Sequence, residues 1–323
     1  MDRRSFLASS AALPLATALP STAHAQERTF APTPGTWRTY EVTTRVEVVD
    51  AGPGTQVWVP VPAVDTPWQK SLGSTFGGNA KTAAVVVDPG SGATMVHATF
   101  ADGEGAPTLE VVSRFQAQDR RYDWSASPSA SAPTENLLPH LKPSALMPTD
   151  GIVLATAEKI TAGRNTDDAK VRAIYDWVVQ NTYREPKVRG CGVGDIKAML
   201  ETGNLGGKCA DINALFVGLV RAAGIPARDV YGIRVVKSAF GYKELGAGSP
   251  DITRAQHCRA EAWLAGRGWV AMDPADVGKV MRLETADWIK TTDHPVVTPV
   301  YRALYGGWEG NWMGYNVAHD VAL

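Results

Sequence analysis

Cys209 stands at the end of Gly206-Gly207-Lys208-Cys209, with His257 and Asp273 downstream. Those three residue types can form a relay: a nucleophile, a proton shuttle, and a carboxylate that orients the imidazole. The chemistry is acyl transfer through a thioester. The residues after Cys209 predict where its sulfur sits. Ile212, Leu215, Phe216, Leu219, Val220 and Ala223 recur at helical spacing, Gly224 suits a left-handed cap, and Pro226 forbids continuation. Cys209 therefore opens an amphipathic core helix, where unpaired N–H groups and the positive end of the helix dipole favour the thiolate. Asp211 in the first turn favours the dipole, and the two glycines would let backbone approach a substrate. An inert buried cysteine is the alternative, and it fits mid-helix better than a loop-to-helix junction.

The histidine and aspartate need a scaffold of their own. Residues 257–264 and 269–273 read as two strands of a hairpin. For His257 and Asp273 to share a face, paired residue numbers must add to an even value, most simply 530. A plain four-residue loop, Ala265 to Gly268, gives 533 and the wrong face, so the loop must have three or five residues or contain a bulge. Gly266 or Gly268 can supply the positive φ.

These segments resemble the transglutaminase-like superfamily of papain-like thiol enzymes. The resemblance rests on GGKCADINALFVGLVRAAGIPAR, on QHCRAEAWLAGRGWVAMDPAD, and on the preceding YDWVVQNTYREPKVRGCGVGDIKAMLETGN, over roughly residues 150 to 280. It implies that Cys209, His257 and Asp273 are the catalytic residues. It also implies a Cys helix packed on an antiparallel sheet. Many members read His-Ala-Trp where this chain has His257-Cys258-Arg259, so the surroundings of the imidazole differ.

The chain has 323 residues and 44% hydrophobic content, enough for two domains with real cores. Its formal net charge is −1, with no basic run, which excludes a nucleic-acid footprint. Met1-Asp2-Arg3-Arg4-Ser5-Phe6-Leu7, an Ala/Leu-rich stretch and Ala23-His24-Ala25 read as a twin-arginine export signal, residues 1–25, cut before Gln26. No later stretch is apolar for long enough to span a membrane. The expected localisation is periplasmic or otherwise exported.

Three cysteines in an oxidising compartment leave at least one unpaired. Cys191 and Cys258 could bond and leave Cys209 free, or all three could stay thiols. Strand alternation points residues 257 and 258 to opposite faces, which disfavours a Cys209–Cys258 bridge. A zinc on Cys191, His257 and Cys258 is disfavoured too, since there is no CxxC pair and adjacent strand side chains diverge. No metal or other cofactor is expected, and nothing resembles a calcium loop.

The fold class is α+β. Residues 26–145 form a β-rich domain and connector: Tyr40–Val48, Val57–Val59, Ala83–Val87, Thr94–Phe100 and Thr108–Phe115 alternate or run apolar between Gly/Pro turns, as in a small antiparallel β-sandwich. Residues 146–323 form the papain-like catalytic domain, with helices at Ile152–Ile160 and Asp168–Thr182, the latter capped by Thr166 or Asp167. An aromatic-rich C-terminal extension carries Tyr301, Tyr305, Trp308, Trp312 and Tyr315, read as packing rather than substrate contact. His319-Asp320 has weaker context than His257. Backbone N–H groups near Cys209, with Asn204 as a second candidate, would stabilise an oxyanion. The expected partner is a peptide or protein amide in the cell envelope, hydrolysed by a peptidase or amidase. The alternatives are a crosslinking transglutaminase and a non-catalytic envelope binding protein that keeps the fold. An acyltransferase using a thioester cofactor fits an exported chain poorly.

Overall fold

A computed structural model describes residues 28–103, 105–129, 136–321 and 323. The expected export signal, residues 1–25, lies outside them. From Arg28 onward the chain is tied down: Arg28 pairs with Glu284 at 2.5 Å, and Phe30 packs edge-on to Tyr242 in the main core.

The first third is two small antiparallel sheets face to face. Strands β1 (Arg38–Glu47), β2 (Gln56–Pro60), β3 (Gln69–Gly78), β4 (Thr82–Val87), β5 (Thr94–Thr99) and β6 (Thr108–Ala117) sort into β1-β6-β3 and β2-β5-β4. Val59, Val96 and Ala98 of one sheet bury against Leu109 and Val111 of the other, as inward positions of a sandwich must. Sequence reading missed β3. Its QKSLGSTFGG has no apolar alternation because it is a largely exposed edge strand carrying a register shift between Ser71 and Ser74. A two-residue strand β7 (Arg120–Arg121) follows.

Helices α1 (Gly151–Thr161) and α2 (Asp167–Asn181) come next, α2 capped by the Thr166 hydroxyl on Ala169 N at 3.2 Å. Then come β8 (Tyr183–Arg184), α3 (Ile196–Thr202), β9 (Gly206–Gly207) and α4 (Cys209–Ala222), which ends one residue before the cap Ala223, with Gly224 at φ +83°. Helix α4 is not amphipathic in place. It is buried almost all round by α1, α2, α3, the later helix Pro274–Leu283 and the β-sheet behind it, and its polar residues Asp211, Asn213 and Arg221 all bond inward.

Strands β10 (Ala227–Arg234), β11 (Arg259–Leu264) and β12 (Gly268–Met272), helices α5 (Pro274–Leu283) and α6 (Thr298–Ala303), and strands β13 (Gly307–Trp308) and β14 (Trp312–Asn316) complete the chain. The main sheet runs β12-β11-β10-β14, every neighbouring pair antiparallel. The C-terminal segment is therefore no appendage: β14 is an edge strand of the central sheet, and β13 pairs with β7. Val42 and Phe115 of the sandwich share a cluster with Ile233 and Met313 of that sheet, joining the two parts.

Candidate active site

Helix α4 begins at Cys209 because Asp211 caps it. Its carboxylate accepts from Lys208 N at 2.8 Å, and from Val193 N and Gly194 N at 2.9 Å each. The incoming 191–194 loop is thus pinned to the helix start, and Cys191 O takes the first-turn donor Ala210 N at 2.9 Å. Gly206 and Gly207 answer to this packing rather than to a substrate. A Cβ on Gly206 would meet the Tyr183 ring, and one on Gly207 would lie 2.5 Å from Asp211 Cβ.

The hairpin loop is Ala265 to Arg267, three residues, and paired numbers add to 532, from Ala260 with Met272 to Leu264 with Gly268. The parity is the one the relay requires. The register is offset from the simplest value of 530 because both reactive residues lie just beyond the strands. His257 precedes β11 and bonds through its N–H to Gly232 O at 2.9 Å; Asp273 follows β12 as the N-cap of α5. Gly266 and Gly268, at φ +72° and +76°, make the turn.

Asp273 Oδ2 lies 2.7 Å from His257 Nε2. Asp273 Oδ1 caps α5 through Asp276 N at 3.1 Å and takes Asn213 Nδ2 at 3.3 Å. Asn213, one turn along α4 from Cys209, also gives Nδ2 to Cys258 O at 2.8 Å and accepts from Ala275 N at 3.2 Å. One amide therefore ties the cysteine helix, the histidine segment and the aspartate cap together. With Nε2 on the carboxylate, His257 also lies beside Cys209, where it favours the thiolate. All three residues are buried.

Sequence reasoning missed a second carboxylate. Asp276 Oδ2 sits 3.4 Å from His257 Nε2, and Asp276 Oδ1 is clasped by Arg234 Nη2 at 2.5 Å. Arg259 lies 3.7 Å from Asp273 Oδ2, its guanidinium 5.1 and 4.7 Å from the ring centroids of Trp308 and Trp312. That is what the departure at His257-Cys258-Arg259 builds: a buried cation behind the aspartate. The only sequence signal for Asp276 was its i+3 spacing from the helix cap Asp273. His257, Asp273 and Asp276 lie close enough to ligate a cation. Arg234, Arg259 and a protonated His257 already offset the charges of Asp273, Asp276 and a Cys209 thiolate, three against three.

These charges set the protonation. Burial and Arg234 push His257 down, but Asp276 and Asp273 outweigh them and raise it to about 9. Hydrogen bonds from the Cys191 and Cys258 thiols, opposed by burial and aided by His257, hold Cys209 well below the usual thiol range. Cys191 and Cys258 are pushed up, first by those same bonds and then by burial. Both shifts favour a thiolate–imidazolium pair over the neutral one.

Of the two alternatives for the cysteines the structure has three free thiols, and the Asn204 expectation is corrected. The Cys191–Cys258 disulfide is not formed: all three cysteines are free, Cys258 lying against Cys209 and the Cys191 thiol reaching Gln256 O at 3.7 Å. The alternation that pointed Cys258 away from Cys209 does not apply, because regular pleating starts only at Arg259. Asn204 is engaged elsewhere, its Oδ1 accepting from Tyr183 Oη at 3.2 Å and Gly206 N at 3.3 Å, and its N–H facing Thr202 Oγ1 at 3.3 Å. Among the described residues, Cys209 N–H has no hydrogen-bond partner. His319 meets Tyr231 and Asp229, away from the relay.

Trp312 Nε1 donates to His257 O at 2.8 Å, so a C-terminal aromatic positions the histidine backbone. Cys209 and His257 open onto a cleft of ≈ 590 Å³, also bordered by Arg184, Arg234, Lys279 and the 246–256 loop.

The family model described as transglutaminase-like superfamily matches residues 154–274. A protein of Haemophilus influenzae, itself uncharacterized, is 37% identical over 290 residues, spanning 83% of this chain and 75% of that one. A solved structure from Cytophaga hutchinsonii, described as a candidate cysteine protease, superposes with a TM-score of 0.52 at 17% identity, covering 89% of this chain and 94% of that one. At that identity the likeness is one of fold.

Proposed function

The chain belongs to the transglutaminase-like superfamily, and from that premise we propose that it is a thiol-dependent acyl-transfer enzyme that hydrolyses peptide-type amide bonds. The observation that carries the reading is the arrangement of His257, bonded to Asp273 at 2.7 Å and lining one cleft together with Cys209. The Cys209 thiolate attacks the amide carbon, and the free Cys209 N–H faces the developing oxyanion. The imidazolium gives its proton to the leaving amine as the C–N bond breaks, leaving a thioester. Neutral His257 then takes a proton from water, whose oxygen attacks the thioester and releases the acid and the thiolate. Asp273 and Asp276 stabilise the imidazolium in both steps. An amine in place of water would make the same thioester a crosslinking intermediate.

The test is turnover of a panel of peptide amides with and without an amine acceptor. Wild type should release product in water, and Cys209→Ala should lose at least about a thousandfold, since removing the nucleophile of a triad leaves only residual catalysis. Full activity in Cys209→Ala would end the thiol mechanism, and product only with amine would make the enzyme a transglutaminase.

The proposed place of action is the cell envelope, on the strength of Arg3-Arg4 and the Ala23-His24-Ala25 site. No helix among the described residues is long and apolar enough to cross a membrane. Replacing both arginines with lysine should hold the precursor in the cytoplasm; unchanged export would overturn the assignment.

A further inference from the structure

The cleft beside Cys209 is bordered by four cationic side chains, Arg184, Arg234, Arg254 and Lys279, against a single carboxylate, Asp251. Their partners divide them. Arg234 is taken up by Asp276 at 2.5 Å. Lys279 leans on Glu244, with Nζ at 2.8 Å from its carbonyl and 3.3 Å from Oε2. Asp251 spends its carboxylate on its own loop, accepting from Thr253 N at 3.0 Å and Thr253 Oγ1 at 2.7 Å. The neighbouring Glu185 carboxylate is likewise turned to Lys187 N at 2.9 Å.

Arg254 and Arg184 are left over, Arg254 exposed to solvent and Arg184 half-buried. The Arg184 guanidinium makes no hydrogen bond or ion pair among the described residues, and its Nε is closed off from solvent without a partner. A half-buried guanidinium in that condition costs free energy unless something completes it. Its place is fixed by backbone: Arg184 pairs with Gly207 between β8 and β9, two residues before the nucleophile, and Glu185 N bonds to Gly207 O at 2.9 Å. Burial and then Arg234 lower Lys279 from the usual ammonium range, and Arg184 adds to the same effect.

Resting on the acyl-transfer reading above, we infer that this cleft takes an acyl donor bearing a free carboxylate next to the scissile amide, held by the Arg184 guanidinium with Lys279 and Arg254 beside it. A planar guanidinium binds a carboxylate through two parallel N–H donors, which a neutral amide side chain cannot match. The carboxylate has two sources in a peptide, an acidic side chain or the terminal α-carboxylate.

The inactive Cys209→Ala protein separates binding from turnover. Calorimetric titration would compare peptide amides that differ only by Glu against Gln beside the scissile bond, and by a free against an amidated C-terminus. One of the two acidic members should bind about tenfold tighter than its neutral counterpart, the worth of one charge-assisted pair. That advantage should weaken with salt, disappear in Cys209→Ala/Arg184→Gln, and return in part with Arg184→Lys. Thermal midpoints of the variants guard against misfolding. Equal affinity for acidic and neutral peptides, or a preference that survives Arg184→Gln, would overturn the inference. Acidic preference without turnover by the wild type would leave this subsite standing and remove the hydrolase reading. Turnover with no charge preference would do the reverse.

Discussion

On the acyl-transfer reading, the reactivity of Cys209 follows from the company its sulfur keeps. Two thiols and an imidazolium stabilise the thiolate, and two carboxylates stabilise the imidazolium. The pair should therefore persist from the low range of Cys209 up to about 9, where His257 loses its proton. Iodoacetamide should label Cys209 ahead of the more accessible Cys191, and its rate should hold nearly flat from about pH 8 down to 6, where an ordinary thiol of pKa about 8.5 would slow steeply. Faster labelling of Cys191 or Cys258 would contradict this. Asp276→Asn removes the strongest single charge interaction that raises His257 and leaves Arg234 uncompensated, so the alkaline limb of kcat/KM should move down from about 9. An unmoved limb would take Asp276 out of the relay. The signs also bear on stability. Asp276 is held well below the carboxylate range, so its contribution is present above the unfolded value and lost as pH falls. His257 is raised, so its contribution is present below about 6.5 and lost as pH rises through about 9.

Local elements differ in how openly the sequence declares them. Helix α4 was legible from its apolar spacing, Gly224 and Pro226, and the hairpin from the parity that His257 and Asp273 impose, because both signals repeat along the chain. Strand β3 was not, since an exposed edge strand buries nothing and so shows no alternation. Asp276, Arg234 and Asn213 were hidden for a different reason: their roles depend on tertiary meetings between α4, α5 and β10 that no local pattern encodes. The glycines before Cys209 were read for backbone approach to a substrate, and the structure gives them to Asp211 and Tyr183. This yields a specific outcome. Gly207→Ala places a methyl against the Asp211 side chain and disturbs the cap that fixes the start of α4, at a cost of about 1–3 kcal/mol for an overpacked contact. Denaturant unfolding should show that loss, and Cys209 labelling should slow with it. A neutral Gly207→Ala would mean the cap can yield freely.

Across the whole molecule, the last residues of the chain complete the site that its middle begins. Strand β14 closes the edge of the sheet beside β10; Trp308 and Trp312 flank the Arg259 guanidinium; and the Trp312 indole fixes the His257 carbonyl at 2.8 Å. The sandwich joins in through Trp68, packed against both tryptophans, and through the Gln69 side chain, which bonds Gly314 N at 2.7 Å and Gly314 O at 2.8 Å. A chain ending before Gly307 would lose β13, β14 and both aromatic faces over a buried cation, and should show no cooperative unfolding transition. Trp312→Phe asks the finer question, because it keeps a ring over Arg259 while deleting one donor. The unpaired His257 carbonyl should cost about 1–3 kcal/mol of stability. If the indole positions the histidine, kcat should fall by about tenfold or more with KM little changed, since a small misplacement of a proton shuttle is felt in the chemical step. Loss of stability with kcat intact would reduce Trp312 to packing alone, and the C-terminal strand would then support the fold without setting the geometry of the relay.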